Sequence, residues 1–515
     1  MIRFAPIFLL AACHPAREPV DSGDGPEVLL SLSQAVAGAM WANPAAYAEI
    51  PVHVNVAGEP ASVDVSLDGV LTAAEPGLPG DWVARVPIAG LAAGEHALVA
   101  SAEGAEPVEA TLVLGEEGVQ ITAFATDGAA ETPRVHHSAE TLWLTWTDRS
   151  AGLSEAWLRT LDGAGRWTGE RVALVHAAEE TLYARTAVGH TGTVGVLYQS
   201  AGGMPYFNHF LIADLEGNTL FGPLDLDPTA SGGSPSGDID VDERGFVMVW
   251  RSANEAGGHT LWWQHVDERS FAVTGPVALA STGPGTTAEP DAGFDPFGHL
   301  DLAAVEDEVL VGWVQYRYNS LLGMEIPLAR LALLRSGSVL WSELAGEDVY
   351  YAWDRECRVF ATGYELDQPG PAFTVVWSDV DLRTDEMAND LHALSIDYDA
   401  QPGDWTLLLD AVDDNDEPFL QGTPGLPGTL AWWDHRAYTE DPANGRISLY
   451  AATVGDDLAF TGEETIFEHA RTVAGVSWLS AEPLGTNAML AWSDERHGSG
   501  ILDPKPEVYL ETAWR

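Results

Sequence analysis

Leu144-Thr145-Trp146-Thr147-Asp148-Arg149 and Leu490-Ala491-Trp492-Ser493-Asp494-Glu495-Arg496 are two copies of one pattern. A short apolar strand closes on an aromatic residue and runs straight into a small polar or acidic turn. Tyr198, Trp250, Trp313, Trp377 (before Ser378-Asp379) and Trp432 (before Trp433-Asp434-His435-Arg436) stand between them, spaced by about 50 to 65 residues, the repeat range of propellers and solenoids. Seven anchors predict seven copies of one unit. The second and fourth anchors are degenerate, so six or eight units stay open.

Around each anchor the chain divides into four strands. The innermost precedes the anchor, as in Arg134-Val135-His136-His137, and the second ends on it. The third ends in a polar turn, as in Phe210-Leu211-Ile212-Ala213-Asp214-Leu215-Glu216-Gly217, and the fourth is brief, as in Leu407-Leu408-Leu409. A four-stranded sheet cannot bury both faces alone, so such sheets stack radially and the large aromatic fills the wedge between neighbours. The last repeat stops one strand short. Val119-Gln120-Ile121-Thr122-Ala123-Phe124, ahead of the first repeat, is the candidate to complete it and remove an open edge.

Upstream the period changes. Val52, Val54 and Val56 alternate with His53 and Asn55, and Val63 to Leu67 alternates before an Asp68-Gly69 turn. Further strands are expected at 82–88, 96–102 and 108–114, a spacing that suggests a β-sandwich. The stretch Ser33 to Ala48 fits no pattern. The expected fold is all-β: a small β-sandwich over 28–116, then a seven-bladed β-propeller over 117–515.

Three resemblances add to this reading. Arg3, the apolar run Phe4 to Leu10, and Leu10-Ala11-Ala12-Cys13 resemble the signal and lipobox of bacterial lipoproteins. That resemblance implies removal of the preceding peptide and lipidation of Cys13, the alternative being an ordinary secretory signal with a chance cysteine. Residues 1–13 are then the signal and 14–27, rich in Pro, Gly, Asp and Ser, a flexible tether. The lipoprotein resemblance also implies the bacterial cell envelope, with His14 after the cysteine leaning to the outer membrane. Attachment would be through the lipid alone, since no stretch reaches the ~18 apolar residues of a spanning helix. Gly94-Glu95-His96-Ala97-Leu98 to Ala102 looks like the penultimate strands of bacterial immunoglobulin-like domains. Trp146-Thr147-Asp148-Arg149 and Trp492-Ser493-Asp494-Glu495-Arg496-His497-Gly498 are similar to the repeats of TolB-like propellers, without the Ser-Pro-Asp-Gly turn those usually carry.

Charge narrows the partners. Lys+Arg total 24 against 78 Asp+Glu, a net charge of −54, and Lys505 is the only lysine. Such a surface repels phosphate backbones, which argues against nucleic acid. Of the two cysteines, Cys13 belongs to the lipobox and leaves Cys357 alone, so no intramolecular disulfide and no Cys/His zinc site is expected. There is no phosphate-binding glycine loop, no His-Glu-x-x-His and no Gly-x-Ser-x-Gly elbow.

Candidate chemistry falls on the innermost strands, which line a propeller's channel. They carry Arg134 and His136, Arg185, Asp238 and Asp240, His299 and Asp301, and Arg358. Arginines from separate blades could grip a carboxylate, an arrangement similar to the arginine triad of sialidases, although the Ser-x-Asp-x-Gly-x-x-Trp box of that family is missing. Mutual pairing of these charges is the plainer reading. Asp413-Asp414-Asn415-Asp416-Glu417 and Asp379-Val380-Asp381 with Asp385-Glu386 offer oxygen ligands for Ca²⁺, but such loops are expected by chance in so acidic a chain, and no cofactor is assigned. Asp238-Ile239-Asp240-Val241-Asp242-Glu243-Arg244-Gly245 reads as a strand and hairpin turn rather than a calcium loop. Adjacent His136 and His137 point to opposite faces and cannot share an ion. Trp263 and Trp433 are candidates for exposure beside Trp262 and Trp432. The expectation is an envelope lipoprotein acting as a non-enzymatic binding or scaffolding module for a protein or glycan. The alternative is a carbohydrate- or polymer-active enzyme, sialidase-like, with its site at the channel mouth.

Overall fold

The computed structural model describes residues 28–514 apart from 33, 45–46, 78, 116–118, 121–129, 139–140, 149–154, 176–179, 202–205, 227–236, 254–257, 282–296, 320–323, 336–337, 345–350, 362–371, 382–388, 398–405, 410–414, 424–425, 435–447, 455–457, 469–476, 485–486 and 495–506. Cys13 and the tether lie outside these residues. The described elements are strands, as alternation and short turns predicted. None of the described residues forms a helix long and apolar enough to cross a membrane.

Strands between Leu29 and Leu114 form two sheets of four and five strands. Alternation places Ile50, Val52, Val54, Val63, Val65, Ala84, Val86, Leu98, Ala100 and Leu112 in one core between them. The Asp68-Gly69 turn has both residues at positive φ, 50° and 84°, which the short polar side chain and the glycine tolerate.

The strands from Val119 onward build seven four-stranded antiparallel sheets. Six follow chain order. The seventh joins Ser477–Leu484, Asn487–Asp494 and Glu507–Ala513 to the early strand Val119–Gln120, which pairs Val119 with Leu510 and Gln120 with Tyr509. The first strand of each sheet touches the first strand of the next, and the seventh returns to the first. The described sheets thus close on themselves in a propeller-like all-β arrangement.

Each junction between neighbouring sheets holds apolar residues, those of the sixth and seventh continuous with the sandwich core, and each anchor packs toward the preceding sheet. Trp146 lies with Met489, Ala491 and Leu510 of the seventh sheet. Tyr198 lies with Leu158 of the first, and Trp250 with Leu197 and Phe210 of the second. Trp313 joins Val247 and Trp263, Trp377 joins Leu310 and Leu331, Trp432 joins Val376, and Trp492 joins Ala431 and Ala451. All seven anchors are buried. Trp263 is buried as well, which corrects the expectation of exposure: its ring fills the junction between the third and fourth sheets. Trp262 is half-buried and donates from Nε1 to Ser252 at 2.9 Å, and the side chain of Trp433 is outside the described ones.

The stretch that fits no sequence pattern turns out to be the joint. Ala39–Ala42 runs parallel to Val108–Leu114 in the five-stranded sheet, and Trp41 on it and Tyr47 beyond it meet the ring. Trp514 donates from Nε1 to the Trp41 carbonyl at 3.0 Å and from its backbone N–H to the Tyr47 hydroxyl at 3.2 Å. Gly163, in a turn of the first ring sheet, donates to the Val36 carbonyl at 3.0 Å. A Cβ there would stand 2.2 Å from the Ala39 oxygen, so only glycine permits this approach.

Candidate functional site

Strand register explains why the charged candidates meet. The residue before each anchor pairs with one position of the inner strand. These positions are Arg134 (opposite Thr145), Arg185 (Leu197), Asp238 (Val249), Asp301 (Gly312), Arg358 (Val376), Phe419 (Ala431) and Ser480 (Ala491). Five successive sheets therefore bring three arginines and two aspartates to one level of the channel wall. His136 and Asp240 stand two residues along their strands, at the next level. His299 sits at the irregular start of Phe297–Val305, and its side chain is outside the described ones.

At the first level the charges engage one another. The Arg134 guanidinium pairs with Asp238 and also donates to the carbonyls of Thr186 (3.2 Å) and Ile239 (3.0 Å), so it spans the first three sheets. Arg358 lies 3.8 Å from Asp301, and Arg185 acts on Asp238 through its charge. Arg185, Asp238, Asp301 and Arg358 are all buried.

The aspartates also stitch the sheets. Asp238 Oδ2 accepts the Leu302 N–H (3.2 Å), Asp240 Oδ2 the Ala304 N–H (2.9 Å) and Asp301 Oδ2 the Val359 N–H (3.0 Å). Each donor belongs to the inner strand of the following sheet. Ser480 does the same across the closing junction, accepting the Val135 N–H at 3.3 Å. Inner strands converge edge to edge near the axis, where a β-ladder cannot continue, and a short side-chain acceptor answers the stranded N–H.

The protonation states follow from these contacts. Burial raises the Asp238 carboxyl, but the Arg134 and Arg185 charges outweigh it and hold the group below its ordinary value. Burial and the Asp238 charge push Asp301 up to about 8 against the pull of Arg358. Asp301 is therefore largely protonated at neutral pH. Burial raises Asp240 to about 6, opposed by the Val241 and Ala304 N–H groups. Burial, then the Arg134 charge, lowers His136 to about 3, so its ring is neutral and meets the Thr186 hydroxyl at 3.1 Å.

Sequence reasoning missed Thr145, Thr186 and Ser480. The Thr145 and Thr186 hydroxyls meet at 2.5 Å across the first junction. The register to the anchors would have singled out Ser480, whereas Thr186, neighbouring Arg185 on the opposite face, left no signal. Cys357 is fully buried against the glycine notch at Gly312, as a small apolar side chain. In the Asp238 to Gly245 stretch, Asp242 Oδ1 accepts the N–H groups of Arg244 (2.8 Å) and Gly245 (2.9 Å), which makes it a hairpin turn. Asp413, Asp414, Asp385 and Glu386 lie outside the described residues. Among the described residues no group of three or more His, Cys, Asp or Glu side chains is arranged to hold a metal ion.

No protein-family model matches the chain, and no curated protein does. Solved structures share the general arrangement at low identity. An ulvan lyase, of a polysaccharide lyase family, is 9% identical with a TM-score of 0.45, over 77% of this chain and 96% of that one. The α-L-arabinanase of Penicillium chrysogenum, complexed with arabinobiose, is 11% identical with a TM-score of 0.39, over 64% and 93%. A neuraminidase-like protein of the A/little yellow-shouldered bat/Guatemala isolate is 12% identical with a TM-score of 0.36, over 65% and 94%.

Proposed function

We propose that this chain is a lipid-anchored envelope protein, held through Cys13, whose immunoglobulin-like sandwich (28–116) carries a seven-bladed propeller (117–515) that binds a glycan or an envelope protein. The observation that supports binding over catalysis is how the channel charges are used. Asp238 and Asp301 spend their oxygens on main-chain N–H groups and on arginines, so the charges at this level are committed to the wall itself. A glycosidase pair instead needs two carboxyls held about 5 to 9.5 Å apart with room for a sugar between them. The ligand then meets the ring away from that level or at the loops.

A carbohydrate-active enzyme is the second reading, and two of the similar structures are named for activities on polysaccharides. Asp240 favours it. This half-buried carboxyl stands two residues along the strand from Asp238, and its affinity for protons is raised to about 6, as suits a general acid or base.

A glycan array and a pull-down from envelope extract, each followed by an assay for released reducing ends, separate the two. Retained ligand with no product, unchanged in Asp240→Asn, is the expected result. Product formation lost in Asp240→Asn would replace the binding reading with the enzymatic one. Neither binding nor product from glycan or envelope protein would overturn both.

A further inference from the structure

One row of side chains crosses the second sheet of the ring. Thr181 on Glu180–Val188 pairs with Ser200 on Val194–Ala201, and His209 on Tyr206–Ala213 pairs with Asp225 at the end of Thr219–Asp225. Ser200 itself stands opposite Phe207, two residues before His209. Directly opposed residues share a face of a sheet, and so do residues two apart on a strand. All four side chains, one from each strand, therefore lie on the same face.

The hydrogen bonds put them in order. Asp225 Oδ1 lies 2.9 Å from His209 Nδ1, and His209 Nε2 lies 2.8 Å from the Ser200 hydroxyl. A carboxylate only accepts, so in the neutral ring Nδ1 carries the proton and Nε2 turns its lone pair toward the Ser200 O–H. Stacking on Tyr198, with ring centroids 5.0 Å apart, fixes the plane of the imidazole. Thr181 is fully buried across from Ser200, and its hydroxyl has no partner among the described residues. An unmatched buried donor costs free energy, and an oxygen bound at Ser200 would give it an acceptor.

The neighbouring sheets show what is packing and what is not. In the third, Trp262 occupies the position of His209 and donates to Ser252 at 2.9 Å, but Ala278 stands where Asp225 does. In the fifth, His392 stacks on Trp377 and faces Leu407. A planar side chain against the anchor is thus a feature of the ring. Among the described residues, the second sheet alone puts a base there with an acid on one nitrogen and a hydroxyl on the other.

We propose that Ser200, His209, Asp225 and Thr181 form an acyl-transfer site that hydrolyses carboxylic esters. Burial of Ser200 and Thr181 restricts the acyl group to a short one. This activity is independent of which ligand the ring takes. Ser200 Oγ bonds to the acyl carbon while its proton passes to His209 Nε2, and the Asp225 carboxylate stabilises the imidazolium. Thr181 donates to the oxyanion. The bond from the acyl carbon to the alcohol oxygen then breaks, and that oxygen takes the proton from Nε2. Water attacks the acyl-serine in the same way: Nε2 takes its proton, the bond to Oγ breaks, the proton returns to Oγ, and a carboxylic acid leaves.

The full chain is treated with a fluorophosphonate probe, which reacts with activated serines, and separately with p-nitrophenyl acetate. Mass spectrometry should find the phosphonyl group on Ser200, and Ser200→Ala should abolish both that label and the release of nitrophenol. The Asp225 side chain is 78% exposed, so Asp225→Asn leaves the fold intact. This variant should slow both reactions by about 10²- to 10⁴-fold, the contribution of general acid–base catalysis. His209→Phe keeps a ring against Tyr198 and should do the same. Thr181→Val removes a hydroxyl that holds nothing in the fold, and should slow hydrolysis by about 10²- to 10³-fold. Folded wild type without label on Ser200 would overturn the proposal. So would rates unchanged in Asp225→Asn and His209→Phe, which would make the row a packing feature like Trp262 with Ser252.

Discussion

Arg134 does more than balance a charge, since it reaches from the first sheet to main-chain oxygens of the second and third while pairing with Asp238. Arg134→Ala leaves the Asp238 carboxylate buried with one less cation beside it. Removing one member of a buried pair costs about 3–5 kcal/mol, so urea denaturation should show a loss of that order. A double replacement of Arg134 and Asp238 by apolar residues of similar size should recover much of it. His136 behaves in the contrary way. Its ring stays neutral down to about 3, while the unfolded chain takes up a proton near 6.5. Stability from this residue is therefore full above 6.5 and declines as pH falls toward 3. The His136 ring resonances in an NMR titration should not move between pH 5 and 8, and a midpoint near 6.5 would contradict the buried, arginine-flanked setting.

A sheet of the ring is defined by its anchor and by whatever the anchor meets on the preceding sheet. Trp250 is 1% exposed and packs with Phe210, Ile239, Phe246 and Met248. Trp250→Ala should cost about 3–5 kcal/mol through lost transfer energy and a residual cavity, measured as a shift of the denaturation midpoint. Gly312 shows the opposite constraint. A Cβ there would lie 2.7 Å from Val359 Cγ1 and 3.0 Å from Cys357 Sγ, in the tight approach of the fourth sheet to the fifth. Gly312→Ala should therefore destabilise by about 1–3 kcal/mol despite adding apolar volume. Labelling of the Cys357 thiol should become faster in that variant, because the junction that shields it is pried apart.

The sandwich and the ring share one apolar cluster. Trp514, just beyond the strand that pairs with Val119–Gln120, sits in it with Trp492 and Tyr47. The joint therefore holds the strand that closes the ring. Trp514→Ala should lower the stability of both parts together, seen as a common shift in a calorimetric transition, rather than release a sandwich that melts unchanged. Net charge acts over the same distances. With −54 on the chain, self-repulsion opposes the folded state and is screened as the Debye length falls from about 30 Å at 0.01 M to about 3 Å at 1 M salt. The melting temperature should rise with sodium chloride, and a flat response would mean that the negative charges are already compensated locally.

Periodic features were legible in the chain because they follow from local geometry. Alternation of Val52, Val54 and Val56 set the sandwich strands, and the recurring Trp or Tyr before a polar turn set the repeat. The missing strand of the last repeat pointed to Val119 to Phe124, of which the described part, Val119–Gln120, pairs as expected. Even the five charges of one channel level were readable from their place on the inner strands. What those charges do was not readable, because an Arg or Asp in a strand looks the same whether it faces a ligand or a neighbouring backbone. Only the closed ring sets Asp238 against Leu302 and Asp301 against Val359, residues about 60 positions apart in a repeat of that period. The segment from Ser33 to Ala48 was opaque for the same reason: its described part is held by Val108–Leu114, Trp514 and Gly163, all distant along the chain.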